Sequence, residues 1–553
     1  MESSPRTSTT HFEDMPTAAM ATILWRSDLI AITLSILVTY VTSTVIYRLY
    51  FHPLAKFPGP FWAKVSTIPS WWQTRNQSRH LWLLKLQEEY GVAFRHRPDS
   101  VCVNTPNAYR DIYGPRGNVR KGDSYKFWHR TVDAQNTWNT TSIKAHARKR
   151  RVLNHAFSEA ALRSAEPFIH SNIDRWLILL GQHKTVGQIW TESIDMADQV
   201  SYLVFDILGD LCFGRCFDMK EPGNNLRHVI DMMVAYIETG NPIIWSPLGS
   251  LWIWLKPRGL DRILAFVTPA KIKAWDAFVA NCQKERAQKQ YESKRMAHSE
   301  IRKDFFHWLF EAKDPDTGEG YTLTELNAEC EVLTVAGSDT TATVLSALFF
   351  YLCRNPHVQE RLAKEIERAF PSYDDIRSGA ALQSCAYLTA VLHEALRMST
   401  PIAADLHRQV LAGGTTIDGH YLPEGSMVAS TSWSLHYNTD YYPEPTKFLP
   451  ERWIVGEAGS TEESVKLADS AACPFSMGPR GCPGKNVAWL EMRLVLTKAI
   501  WKYEIMQEPD NKLGGGRADG EWGRRNEDQY QTYDSFVSNR KGPIVRLKER
   551  FRD

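Results

Sequence analysis

The hydrophobic pattern opens with an unbroken run. Leu29 to Tyr47 (LIAITLSILVTYVTSTVIY) passes nineteen residues without a formal charge, which at roughly 1.5 Å per residue is about enough helix to cross a bilayer. It begins late and follows a lead with four acids and two arginines, unlike a cleaved signal peptide, whose apolar core is short and follows a basic start. The pattern therefore predicts a retained anchor at 29–47, a lead at 1–28, and a connector at 48–60 stiffened by Pro53, Pro58 and Pro60, since proline fixes φ and removes a donor. Arg48, His52, Lys56, Lys64 and Arg75 follow the span. By the positive-inside rule they place the body in the cytosol and the lead in the lumen.

From about residue 80 to 370 apolar residues recur at three- and four-residue spacing, the period of amphipathic helices, with polar links near Pro222–Asn225 and Asp314–Gly320. Thr322-Leu323-Thr324-Glu325 is a capping-box pattern, and periodicity continues to Asn355-Pro356, predicting a helix of about 30 residues and about 45 Å. Pro356 suits the first position of the next helix, and another is predicted at Tyr387–Met398. Strand-like pieces follow at Gly414–Ile417, Ser426–Ser434 and Pro543–Leu547, with a glycine- and charge-rich loop at Asp510–Asp528. The fold class is mainly α with a minor β portion, with 61–553 as one body.

Composition changes this picture little. A chain of 553 residues has room for two or three domains, yet no low-complexity linker or internal repeat divides it. With 43% hydrophobic residues, 23% charged residues and a formal net charge of +2, it is neither disordered nor a polyanion binder, so no nucleic-acid partner is expected. The nine cysteines (102, 212, 216, 282, 330, 353, 385, 473 and 482) form no CxxC pair and predict reduced thiols.

The strongest chemical signal is Phe475-Ser476-Met477-Gly478-Pro479-Arg480-Gly481-Cys482-Pro483-Gly484, just before a helical pattern at Asn486–Tyr503. Glycines 478, 481 and 484 are expected to adopt positive φ and let backbone approach a flat ligand. Cys482 stands where helix amides favour a thiolate, with Pro483 expected at the first helical position. By itself a lone cysteine in a glycine turn is also compatible with plain burial.

This segment resembles the haem-binding loop of the cytochrome P450 family, and further marks follow in the family's order. Glu394 and Arg397, three apart on one helical face, precede Pro450-Glu451-Arg452-Trp453; Ala336-Gly337-Ser338-Asp339-Thr340-Thr341 sits midway along the long predicted helix. The resemblance runs from the anchor to about Val545. It implies a cytochrome P450 fold behind an N-terminal transmembrane helix and haem b ligated through its iron by Cys482, with Phe475, Gly478, Arg480 and Gly484 around the cofactor. It also implies a buried network of Glu394, Arg397 and Arg452 that holds the haem loop, and proton relay by the catalytic pair Asp339 and Thr340.

Propionate contacts are implied for Arg408, Arg480, His146 and Arg150, although the family usually places a Trp where this chain has His146. Arg148, Lys149 and Arg151 are read either as solvated charge or as a surface for an acidic electron donor. HPLAKFPGP, DILGDLCFG, TTIDGHYLPEG and FLPERW look most like fungal members that tailor secondary metabolites. The activity so implied is monooxygenation of a lipophilic small molecule by O2, with NADPH electrons from a flavoprotein reductase, at the endoplasmic reticulum membrane. Substrate is expected along 117–136, 335–340, 400–407 and 530–536. Two alternatives stand beside this: a haem-thiolate isomerase or dehydratase needing no reductase, and a non-catalytic, membrane-tethered haem-binding protein.

Overall fold

The computed structural model describes residues 17–129, 134–184, 187–223, 226–295 and 302–550. Residues 1–16 of the expected lead, 224–225 of an expected link and 130–133 of the expected substrate lining lie outside these. The chain divides into two compact units, Met1–Lys56 and Phe57–Asp553. In the first, Thr17–Ile46 is α-helical and passes into a π-helical turn at Tyr47–Phe51. The start of the connector is therefore helical where an irregular segment was expected. Within this unit Asp28–Phe51 is long and apolar enough to span a membrane, with mean hydropathy 2.1.

The second unit is built on the helix Leu323–Arg354, whose capping box forms as its sequence predicts: Glu325 N donates to Thr322 Oγ1 and Thr322 N to Glu325 Oε2. This central helix also passes a hydropathy test for a membrane span. Every residue from Thr341 to Leu352 is buried by protein, as expected of a helix that is apolar on all sides. Its neighbours include Met196–Phe213, Ala386–Met398 and Lys485–Lys502. Phe349, Phe350 and Leu352 are at most 1% exposed, each burial stabilising by about 1.5–3 kcal/mol before chain entropy is counted. Pro356 opens the following helix, Pro356–Ala369.

The β portion is small and positions function. A five-stranded mixed sheet runs in the order Ala93–Arg97, Ser100–Val103, Met427–Ala429, Arg408–Val410, Val119–Lys121. Within it Lys121 pairs directly with Arg408. A hairpin, Thr532–Ser535 with Val537–Arg540, turns at Phe536. The strand expected over Ser426–Ser434 is confined to Met427–Ala429, because Ser432–His436 winds into a buried helical turn. Residues 510–528 contain no helix or strand.

Candidate active site

Two backbone contacts shape the cysteine loop. Cys482 N donates to Phe475 O at 2.9 Å, and Gly478 takes φ +66°, where a Cβ would fall 2.2 Å from Tyr113 O. Only glycine fits there. Gly481 and Gly484 have φ of −60° and −83°, which corrects the expectation that all three glycines use positive φ. The helix begins at Lys485 with Gly484 as its cap, so Pro483 lies in the preceding turn and not at the first helical position.

The Cys482 thiol is deep in the body yet open, because it faces a cavity of about 330 Å³. Burial pushes its pKa up, opposed by the Gly484 amide, by the Arg150 and Lys485 charges and by the Lys485 amide. Arg150 also grips the loop: Nη1 donates to Gly481 O at 2.6 Å and Nε to Asn154 Oδ1 at 2.9 Å. Phe475 and Gly484 line the cavity.

On another wall, cations collect. Lys121, Arg408, Arg480 and His146 all line the cavity. Arg480 Nη1 donates to Thr140 O at 2.9 Å while its Nη2 is buried with no partner. Burial, then the nearby Arg408, brings the Arg480 pKa down to about 9. Lys121 is held well below the lysine range by burial, Arg408 and Arg480; its Nζ donates to Trp138 O at 2.5 Å. Arg408 reaches Leu406 O at 2.9 Å and His407 O at 3.1 Å. His146 is pushed down to about 3 by burial and the surrounding cations, so it is neutral.

Like charges directly opposite on paired strands destabilise a sheet, and an unpaired buried guanidinium nitrogen costs more than a neutral one. Such a wall is built for a ligand that brings its own negative charge. Among the described residues no group of three or more His, Cys, Asp or Glu could hold a metal ion. A single thiolate fixes iron only when another ligand set completes the coordination; the ring nitrogens of a porphyrin would do that, and its two propionates would answer the cations. The residues fit haem.

The central helix presents Ala336, Gly337, Thr340 and Thr341 to the cavity. Thr340 Oγ1 donates back to Ala336 O at 2.7 Å. The Asp339 carboxylate takes another direction and pairs with Arg540 at 2.6 Å. Cavity walls also come from Trp128, Asn136, Ile402, Leu406, Phe536 and Val537, from Leu208 within the DILGDLCFG segment, and from Tyr236 and Phe305, which no motif marked. Glu329 and Glu491 are buried carboxyls beside it, pushed up by burial to about 7 and about 8.

Glu394, Arg397 and Arg452 come together in full burial. Glu394 accepts from Arg397 Nε at 2.9 Å and Nη2 at 2.8 Å, from Arg452 Nε at 3.0 Å, from Leu449 N at 3.1 Å and from Trp453 Nε1 at 2.9 Å. Burial would raise its pKa, but Arg397 and Arg452 outweigh it and hold the carboxyl below the usual range. The far side of Arg397 donates to His436 O and Pro445 O, both at 2.8 Å. His436 carries this to the cysteine loop: Cys473 N donates to Nε2 at 3.1 Å, which leaves the ring proton on Nδ1 to reach Arg397 O at 3.1 Å.

Arg148 and Lys149 pair with Glu325, and Arg151 with Asp314. Their charge is thus answered within the chain. Lys121, His436 and Arg540 had no sequence signal; each matters through a partner distant in the chain.

Comparison with known proteins agrees with this geometry. The sequence model of the family described as Cytochrome P450 matches residues 58–514. The chain is 33% identical over 525 residues to cytochrome P450 monooxygenase AKT7 of Alternaria alternata, covering 93% of this chain and 96% of that one. It is 32% identical to cytochrome P450 monooxygenase fscF of Fusarium equiseti, with 92% and 95% covered. Among solved structures, the haem domain of cytochrome P450DA superposes with a TM-score of 0.66 at 18% identity, covering 86% of this chain and 94% of that one. A cysteine loop opening on a cation-walled cavity, a family match over most of the body and relatives of nearly equal length lead to one assignment: the chain belongs to the cytochrome P450 family of monooxygenases.

Proposed function

We propose that this chain oxidises a lipophilic small molecule with O2 and electrons drawn from NADPH through a flavoprotein reductase. The observation that carries the reading is the Cys482 thiol opening onto a cavity with one apolar wall and one wall where Arg480, Arg408 and Lys121 gather in burial. Haem bound through Cys482 supplies the oxygen chemistry. The chain's own residues do the rest. The Gly484 and Lys485 amides with Arg150 favour the thiolate, and Gly478 seats the loop against Tyr113. Arg480, Arg408, Lys121 and neutral His146 hold the propionates, with Arg150 bracing the loop beside Cys482. Thr340 Oγ1 holds a proton at the cavity wall and Asp339 is its acidic neighbour. Leu208, Ile402 and Phe536 exclude water from the reacting end of the substrate.

The apolar helix at Asp28–Phe51 and the basic residues after it support a single-pass anchor in the endoplasmic reticulum membrane, with the catalytic body in the cytosol. The fungal origin of the relatives supports a tailoring step in secondary metabolism. The test is spectroscopic and then chemical. The reduced, carbon monoxide-treated protein should show the red-shifted Soret band of thiolate ligation, and Cys482→Ala should lose it. Gene deletion should then accumulate one precursor that differs from the missing product by an oxidation. A colourless protein would overturn the reading, and turnover without NADPH would replace it with isomerase or dehydratase chemistry.

A further inference from the structure

Asp339 and Thr340 are adjacent in sequence but lie on different faces of the central helix, because successive residues turn by about 100°. Thr340 faces the cavity with Ala336 and Gly337. Asp339 shares another face with Thr343 and Ser346, at i, i+4 and i+7, and that face is occupied by Arg540. Arg540 Nη1 donates to Asp339 Oδ1 at 2.6 Å and to Thr343 Oγ1 at 2.9 Å. Nε donates to Ser346 Oγ at 3.2 Å, and Nη2 to Ser201 Oγ at 2.7 Å on the neighbouring helix. The Arg540 and Asp339 side chains are 5% and 12% exposed, and among the described residues Asp339 is the one carboxylate within 4 Å of Arg540. A planar guanidinium fastened on three sides fixes where the acid points as well as its charge.

Arg540 ends the hairpin whose turn is Phe536, and Phe536 and Val537 line the cavity. Phe536 has φ +82°, a left-handed conformation that costs a non-glycine residue about 1–3 kcal/mol and persists only where neighbours enforce it. They do so here: Ser538 N donates to Pro401 O at 2.8 Å and Ser538 Oγ to Thr400 O at 3.3 Å. Thr343 Oγ1 reaches Ser538 O at 3.2 Å. One short, firmly clasped element thus has the substrate cavity at its tip and the partner of Asp339 at its base.

We propose that Arg540 is a positioning residue that couples the Asp339 carboxylate to occupancy of the cavity. With no substrate, Arg540 keeps the carboxylate turned from Thr340. A lipophilic substrate pressing on Phe536 shifts the hairpin, withdraws Arg540 and lets Asp339 swing toward Thr340 Oγ1. The inference rests on the monooxygenase reading. Its use is to suppress the futile reaction NADPH + H+ + O2 → NADP+ + H2O2, in which two electrons and two protons pass to dioxygen and no substrate bond is made.

The test reconstitutes full-length protein with NADPH and a cytochrome P450 reductase, without substrate, and follows NADPH loss and hydrogen peroxide. Arg540→Gln should raise both several-fold, and Arg540→Lys, which keeps a charge near Asp339, should restore part of the restraint. In Asp339→Asn/Arg540→Gln the rise should vanish, because Arg540 acts through Asp339. An unchanged rate in R540Q, or a rise that survives in the double variant, overturns the proposal. Amide hydrogen exchange adds a readout without turnover: Asp339→Asn should speed exchange across 532–540, and unaltered exchange counts against the coupling. If R540Q fails to fold, Ser201→Ala removes one of its anchors and should give the same leak in smaller degree; no leak overturns it. Failure of the wider reading is separately visible, because the wild-type protein would then lack the thiolate spectrum.

Discussion

Replacing Arg397 by lysine keeps the charge, but charge alone is not enough at this position. The guanidinium spans two partners: its Nε and Nη2 meet both oxygens of Glu394 at 2.9 and 2.8 Å, and its Nη1 meets His436 O and Pro445 O at 2.8 Å. A lysine brings its donors on one nitrogen and cannot reach both sides. If it stays with Glu394, two buried carbonyls lose their donor at about 1–3 kcal/mol each, or about 2–6 kcal/mol together. Typical domains are stable by about 5–15 kcal/mol, so the loss is large. It should appear at the iron first, because His436 also holds Cys473 N at the start of the cysteine loop. A chain this long need not unfold in two states, so the assay is local: the thiolate-type carbon monoxide band followed against urea. Arg397→Lys should lose half the band at a clearly lower urea concentration than wild type, with exposed Arg377→Lys as a neutral control. An R397K midpoint equal to that of the control would refute the two-sided clamp.

Other outcomes follow from the same geometry. Arg480→Leu removes a like charge beside Arg408, so the haem-free protein should melt no lower than wild type while haem transfers faster to apomyoglobin; Lys121→Met should act in the same direction. Gly478→Ala places a Cβ 2.2 Å from Tyr113 O at φ +66° and should cost at least the 1–3 kcal/mol or so of that conformation alone, read as lost haem incorporation. Glu394 is held below its ordinary pKa. Its contribution to stability is therefore present above the unfolded value near 4.5 and lost as pH falls through the lower folded value, a loss that Glu394→Gln should not show in melting curves. Glu491 has the opposite sign: raised to about 8 by burial, it stabilises fully below about 4.5 and loses that contribution as pH rises through about 8. Glu491→Gln should flatten the decline of the melting profile between about pH 4.5 and pH 8.

What could be read from the chain and what could not divide along sequence distance. The capping box at Thr322 and Glu325, the Pro356 helix start and the Glu394–Arg397 pair are each closed within four residues, so local spacing contains the whole interaction. Positive φ is different. Gly478, Gly481 and Gly484 look alike in sequence, yet only Gly478 meets a carbonyl from elsewhere, that of Tyr113, and only it needs the left-handed conformation. The propionate wall shows the same limit. Arg480 lies in a local motif, but its weight comes from facing Arg408 and Lys121, which meet because two strands far apart in the chain pair in register. Asp339 is the sharpest case. Its neighbour Thr340 bonds within its own turn and stayed legible, whereas the partner of Asp339 lies 201 residues away on a hairpin. Hydropathy alone also failed to separate Asp28–Phe51 from the central helix, since both pass as membrane spans. The difference is what covers them: around Thr341–Leu352 the cover is other helices of the body. Packing therefore decided the meaning of patterns that composition had only made available, and it did so most at the residues that face the cavity.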